Sequence, residues 1–404
     1  MRRKHLGAAL ATLAAAAATP ALVAAAQTDE VPEPPADTTG TSVEIDLDLD
    51  DTASCPAPDQ DGNDDEDTTT TTSPTTTSPP TTMSPPDVAE PTTTTSAPPG
   101  PAVEPPASYP QPGVVDGDTF AHDPTMVRRP DGTYLLAFTA PDIGIKTSTD
   151  RVTFSDAGTV FPDGAPWTSE YTGGDRNLWA PDLSYQDGRH LLYYSASSFG
   201  QNRSAIFLAT SPTGESGTWA HEGLVVESDT GDGFNAIDPN LFVDDDGRWW
   251  LSFGSFWSGI QLVELDPATG LPLPDAPLHR IATRPSSVSG AVEAPYLVKR
   301  DGRYHLFVAF DACCRGAAST YRVMVGRADD ITGPYVDRDG IPMIDGGGTE
   351  VLASHGAVHG PGHPAVLSDV DGDLLVYHYY TDSGLAQLGI NALGWDDDGW
   401  PFVY

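Results

Sequence analysis

The sequence predicts an all-β fold, a five-bladed β-propeller, for residues 114–404, and three observations carry that prediction. An apolar stretch, a turn centred on Asp-Gly and a second apolar stretch rich in aromatic and branched residues recur five times, with turn glycines Gly132, Gly188, Gly247, Gly302 and Gly372. The copies lie about 55 to 70 residues apart, room for one four-stranded blade each. No convincing amphipathic helix interrupts them.

Taken from the start of the chain, residues 1–26 read as an export signal. Arg2, Arg3 and Lys4 precede an apolar stretch, and Ala24, Ala25 and Ala26 offer a small-residue cleavage site. Residues 27–113 form a Thr-, Pro- and Asp/Glu-rich linker with 18 acids and no lysine or arginine. Too few large apolar residues are present to offset ordering entropy, so this segment is expected to be disordered. The five hairpins follow, at residues 126–128 and 134–138, 183–185 and 190–194, 241–243 and 249–253, 296–298 and 304–308, and 365–367 and 374–378. Glycine in the turn tolerates the positive φ that a tight hairpin needs.

Charge narrows the partners. Of 58 acidic and 20 basic residues in the chain, residues 114–404 hold 40 and 17. So negative a domain argues against nucleic acid and anionic membranes and suits a neutral substrate. The processed protein is expected to be extracellular, free of membrane and monomeric. Three cysteines make no disulfide framework. Neighbouring cysteines seldom pair, so Cys313 and Cys314 are expected reduced or unreactive.

Nine residues before each turn glycine stands Asp123, Trp179, Asp238, Glu293 or His363, with a proline one or two places later. Equivalent positions of a propeller ring one axis, so this register brings three carboxylates, a tryptophan and a histidine to one mouth. Three converging acids repel one another and raise at least one pKa. That separates a protonated acid from an ionised base, which glycosidic cleavage requires. Trp179 offers a flat face for a sugar ring. His363, with His355 and His359 nearby, leaves a metal possible without specifying one.

The ordered motifs His122-Asp123-Pro124, Asn177-Leu178-Trp179-Ala180-Pro181-Asp182, Asn235-Ala236-Ile237-Asp238-Pro239-Asn240, Gly254-Ser255-Phe256-Trp257-Ser258-Gly259, Val292-Glu293-Ala294-Pro295 and Gly360-Pro361-Gly362-His363 resemble glycoside hydrolase family 43. Within it they resemble the secreted endo-1,5-α-L-arabinanases. The resemblance implies an inverting mechanism, with Asp123 as general base, Glu293 as general acid and Asp238 orienting Glu293 and raising its pKa. It implies that Trp179 stacks on arabinose, that His122, Asn177, Ser258 and Gly259 lie along the cleft, and that His363 holds a hydrated calcium ion. The substrate expected is arabinan, a pectin side chain. Exo-acting arabinofuranosidase or β-xylosidase action on the same scaffold is the nearest alternative, and a non-catalytic sugar-binding propeller a more distant one. Endo action is favoured because no large insertion offers a plug for one end of the groove.

Overall fold

The structure is a computed structural model that describes residues 106–404. The signal and most of the linker therefore lie outside the described residues. Five sheets follow one another along the chain, antiparallel except where Asp116–Gly117 joins the first in parallel. Their first strands are Thr125–Arg128, Asn177–Gln186, Asn240–Val243, Val292–Arg300 and His359–Asp369. Their second strands are Tyr134–Phe138, Arg189–Ala196, Trp249–Phe253, Arg303–Phe310 and Gly372–Tyr380. Each pair is the expected hairpin. In the last blade the turn is Val370–Asp371, and Gly372 already pairs with Asp369 in the ladder. The first two sheets each carry an extra strand, Asp116–Gly117 and Ala140–Pro141, and at the third both Leu271–Pro272 and His279–Ala282 pair with Ile260–Asp266. Among the described residues, helix is limited to Ser169–Thr172 and single 3-10 turns.

The second strands explain why the sequence shows apolar runs there rather than simple alternation. Leu135 packs towards blade 2, with Leu192 and Phe207, while Leu136 packs towards blade 5, with Leu374 and Val376. Leu191 and Leu192 divide in the same way between blades 3 and 1. Leu306 and Phe307 divide between blades 3 and 5. Successive side chains of a strand leave opposite faces, and both faces of every blade are covered by neighbours. One apolar layer fills each of the five seams, and each large side chain fully buried there contributes about 1.5–3 kcal/mol.

A polar latch is superimposed on these layers. The residue after the inner proline of one blade bonds the first strand of the next. Thr125 accepts from Leu183 N–H, Asp182 from Leu241 N–H and Asn240 from Leu297 N–H, while Tyr296 donates to Val366 O. The fifth equivalent is Ala365, which has no group to offer. That last seam is bridged by Arg151 and Tyr134, which bond Asp369, and by the N-terminal segment: Gly113 N–H donates to Ile390 O, Leu388 N–H to Thr119 O and Asn391 to Gln111 O. Tyr109 also donates to Glu350, 2.7 Å away. Residues 109–113, assigned to the linker on composition, are thus part of the propeller. Composition missed them because backbone groups make most of the bonds.

Candidate active site

In every blade the residue before the inner proline takes a left-handed backbone: Asp123 (φ 49°), Ala180 (45°), Asp238 (57°), Ala294 (53°) and His363 (53°). Such a kink at a non-glycine residue costs on the order of 1–3 kcal/mol and persists only where its surroundings hold it. Four of the five kink N–H groups are held by a side chain of the preceding blade. Ala180 donates to Thr139 Oγ1, Asp238 to Ser195 Oγ, Ala294 to Asp238 Oδ2 and, across the closing seam, Asp123 to His378 Nδ1. The blades therefore align on the proline, not on the turn glycine. Blades 2 and 4 have one residue fewer between proline and glycine. Trp179 and Glu293 consequently issue from the extended residue before the kink, whereas Asp123, Asp238 and His363 occupy the kink itself.

Imidazoles crowd around Asp123. His122 Nδ1 lies 2.9 Å from Oδ2, and His363 Nδ1 and His378 Nδ1 lie 3.2 and 3.4 Å from Oδ1. The Thr139 hydroxyl donates to Oδ2 at 2.7 Å. Burial by itself would raise the pKa of this carboxyl, but its imidazole neighbours, His122 foremost, outweigh it and hold Asp123 well below the usual carboxylate range. His122 moves up, because the Asp123 carboxylate overcomes the effect of burial. His378 is pulled well below 6.5 by burial and by His122, in keeping with an Nδ1 that accepts the Asp123 N–H.

Glu293 sits in the opposite setting. It is buried, and burial followed by the charge of Asp123 raises its pKa to about 7 against the Tyr321 hydroxyl, which donates to Oε1 at 2.8 Å and favours the charged form. Asp238 is buried too and is pushed up by burial, then by Glu293 and Asp123. Its Oδ2 takes the N–H of Ala294, the residue after Glu293, at 2.9 Å. That bond fixes the backbone from which Glu293 projects.

A cleft of about 700 Å³ opens over these groups and is lined by Asp123, Asp238, Glu293, Trp179, His363 and His122. Asn177, Ser258 and Gly259 are not among its lining residues. Asn177 is exposed and bonds Asp175. Ser258 and Gly259 close a turn beneath the wall: Gly259 approaches so near to Ala282 that a Cβ would lie 2.1 Å from its carbonyl oxygen. Ser255, Phe256 and Trp257 of the same motif line the cleft instead. Phe199 (83% exposed) and Trp257 (44% exposed) add two aromatic faces that no repeat register singled out. Tyr321, Ser289 and Cys313–Cys314 complete the wall. The two cysteines are joined by a disulfide, against expectation. Cys314 adopts a left-handed backbone (φ 65°), which lets both side chains meet on one side of a turn.

The donor set does not fit a calcium cage built by protein, which would supply mostly oxygen ligands. His122, Asp123 and His378 bring two imidazoles and one carboxylate within 4.8 Å of one another. His363 fits a narrower role. Burial lowers its pKa, leaving a neutral imidazole beside Asp123 that can offer one nitrogen to an otherwise hydrated ion.

Residues 115–401 match the family model described as glycosyl hydrolases family 43. The extracellular endo-α-(1→5)-L-arabinanase 1 of Bacillus subtilis is 43% identical over 286 residues, which cover 69% of this chain and 86% of that protein. The extracellular exo-α-(1→5)-L-arabinofuranosidase of Cellvibrio japonicus is 38% identical over 298 residues, 70% and 86% of the two chains. Among solved structures, a family 43 endo-arabinanase from Bacillus licheniformis is 44% identical with a TM-score of 0.67, covering 72% of this chain and 99% of its own.

Proposed function

The chain belongs to glycosyl hydrolases family 43, and from that premise we propose that it is an extracellular endo-arabinanase, cleaving internal α-1,5-L-arabinofuranosidic bonds of arabinan. One observation supports the chemistry above the rest: a carboxylate held ionised, Asp123, and a carboxyl held protonated to about pH 7, Glu293, face the same cleft. In this reading Asp123 takes a proton from the attacking water while Glu293 gives its proton to the departing sugar oxygen, with inversion at the anomeric carbon. Asp238 orients Glu293 through the backbone beside it, where its Oδ2 accepts the Ala294 N–H. Trp179, Phe199 and Trp257 provide apolar faces for successive arabinose rings. A hydrated calcium ion at His363 would add a fixed positive charge beside the reacting groups. Its presence is checked by calorimetric titration of the metal-stripped protein, with binding expected in wild type and lost in His363→Ala.

The deciding experiment is the product profile on debranched linear arabinan, with Glu293→Gln alongside. A ladder of arabino-oligosaccharides from wild type and none from the variant supports the assignment. Arabinose alone transfers it to the exo mode represented by the Cellvibrio japonicus relative. Undiminished hydrolysis by Glu293→Gln removes Glu293 from the acid role.

A further inference from the structure

Beside Asp123 the chain makes a contact that the propeller repeat does not require. The Cys314 N–H donates to the Tyr380 hydroxyl at 3.0 Å. That hydroxyl lies 2.8 Å from His122 Nε2, and His122 Nδ1 lies 2.9 Å from Asp123 Oδ2. Cys314 Sγ is itself 3.9 Å from His122 Nε2. Tyr380 is buried, so water has little access to replace these partners. Having accepted from Cys314, the hydroxyl can give its own proton to a neutral His122 or accept from a charged one. In either state it fixes the outer edge of the ring, while His378 stacks on its face at 4.1 Å.

We propose that the Cys313–Cys314 disulfide is a positioning element for hydrolysis, acting through Tyr380 and His122 on Asp123, and that its reduction by a dithiol lowers turnover. The inference rests on Asp123 being the general base. A disulfide between adjacent residues closes a small ring through their shared peptide and so fixes the direction of the Cys314 N–H. Two free thiols impose no such ring, and a non-glycine residue in left-handed backbone then tends to relax. Reduction breaks the S–S bond: the disulfide takes up two electrons and two protons, leaving two thiols, while the dithiol closes to its own disulfide. The Tyr380 hydroxyl then loses the Cys314 donor that sets its direction, and its contact with His122 is no longer held in one orientation beside the base.

The test uses the full chain and Tyr380→Phe, each with and without dithiothreitol, with free thiols counted, folding followed by circular dichroism, and kcat and KM measured on linear arabinan. Reduction is expected to lower wild-type kcat roughly 10- to 100-fold with little change in KM, as for a misplaced catalytic group. Tyr380→Phe should start near that lower value and lose nothing further, because the link is already cut. The double variant Cys313→Ser/Cys314→Ser should match the reduced enzyme. Three results overturn the inference: no loss on reduction, a loss confined to KM, or an equal loss in Tyr380→Phe and wild type. Should the reduced chain unfold, a folded Tyr380→Phe with wild-type kcat overturns it. Asp123→Asn run in parallel separates the premises: activity retained there removes the base assignment, whereas activity lost there with harmless reduction removes only the role of the disulfide.

Discussion

Around Asp123 the protein gathers imidazole, whereas around Glu293 it gathers a second carboxyl and a phenol. Glu293 is buried and Asp123 largely so, and that withdrawal from water pushes both carboxyls the same way, towards the neutral form. The neighbours then decide. The imidazole neighbours of Asp123, His122 foremost, reverse the effect there. At Glu293 the charge of Asp123 reinforces it, and one hydrogen bond from Tyr321 only moderates it. One cleft thus holds an ionised and a protonated carboxyl at the same pH, with identity set by surroundings and not by residue type.

The largest effects are expected from replacing each carboxyl in turn. Asp123→Asn and Glu293→Gln should each lower kcat on arabinan by roughly 10²- to 10⁴-fold, measured by reducing-end release. An aryl arabino-oligosaccharide, whose phenolate leaves without a proton, should restore much of the rate to Glu293→Gln and none to Asp123→Asn. Equal restoration would mean that the two groups do not divide the work. Next in size is the pH profile. Glu293 is active while protonated, so kcat/KM should fall as pH rises through about 7, the value to which burial and Asp123 push it. Asp123 is active while ionised, and its limb should lie far to the acid side, since the histidines hold its pKa down.

Smaller substitutions sharpen the contrast. Tyr321 favours the charged form of Glu293, so Tyr321→Phe should raise that pKa and move the alkaline limb upward by less than about one unit, leaving the acid limb in place. Movement of the acid limb instead would assign Tyr321 to the other half. The mildest change is His378→Ser. It offers the Asp123 N–H a hydroxyl, as Ser195 and Thr139 do for the next kinks, but removes the ring stacked on His122. A shift in Tm of no more than a few degrees is expected by calorimetry, with a severalfold drop in kcat. Unchanged kcat would leave His378 only the role of holding the kink at Asp123.

Much of this contrast was legible in the chain, though unevenly. The three carboxyls, Trp179 and His363 were found because each stands near a proline at a repeated distance from a turn glycine. Asn177, Ser258 and Gly259 were placed along the cleft by motif, yet a motif mixes groups that face a cavity with groups that shape the turn behind it. His378 carried a signal that went unread: Thr139 and Ser195 lie seven residues after their turn glycines, and His378 lies six after its own. Tyr321 and Tyr380 had no such signal. They belong to no repeated position, and they reach the site across 28 and 258 residues of sequence.

The sequence by itself determined five hairpins, their order and the acids near the inner end of each blade, because turn chemistry and alternating burial are local properties. Tertiary structure decided which acid stays charged. That outcome depends on closing the ring, which brings blade 5 against blade 1 and sets His378 on the backbone of Asp123, 255 residues away. A pKa is the balance of desolvation against whatever charges lie within a few ångströms, and only the closed ring fixes which charges those are.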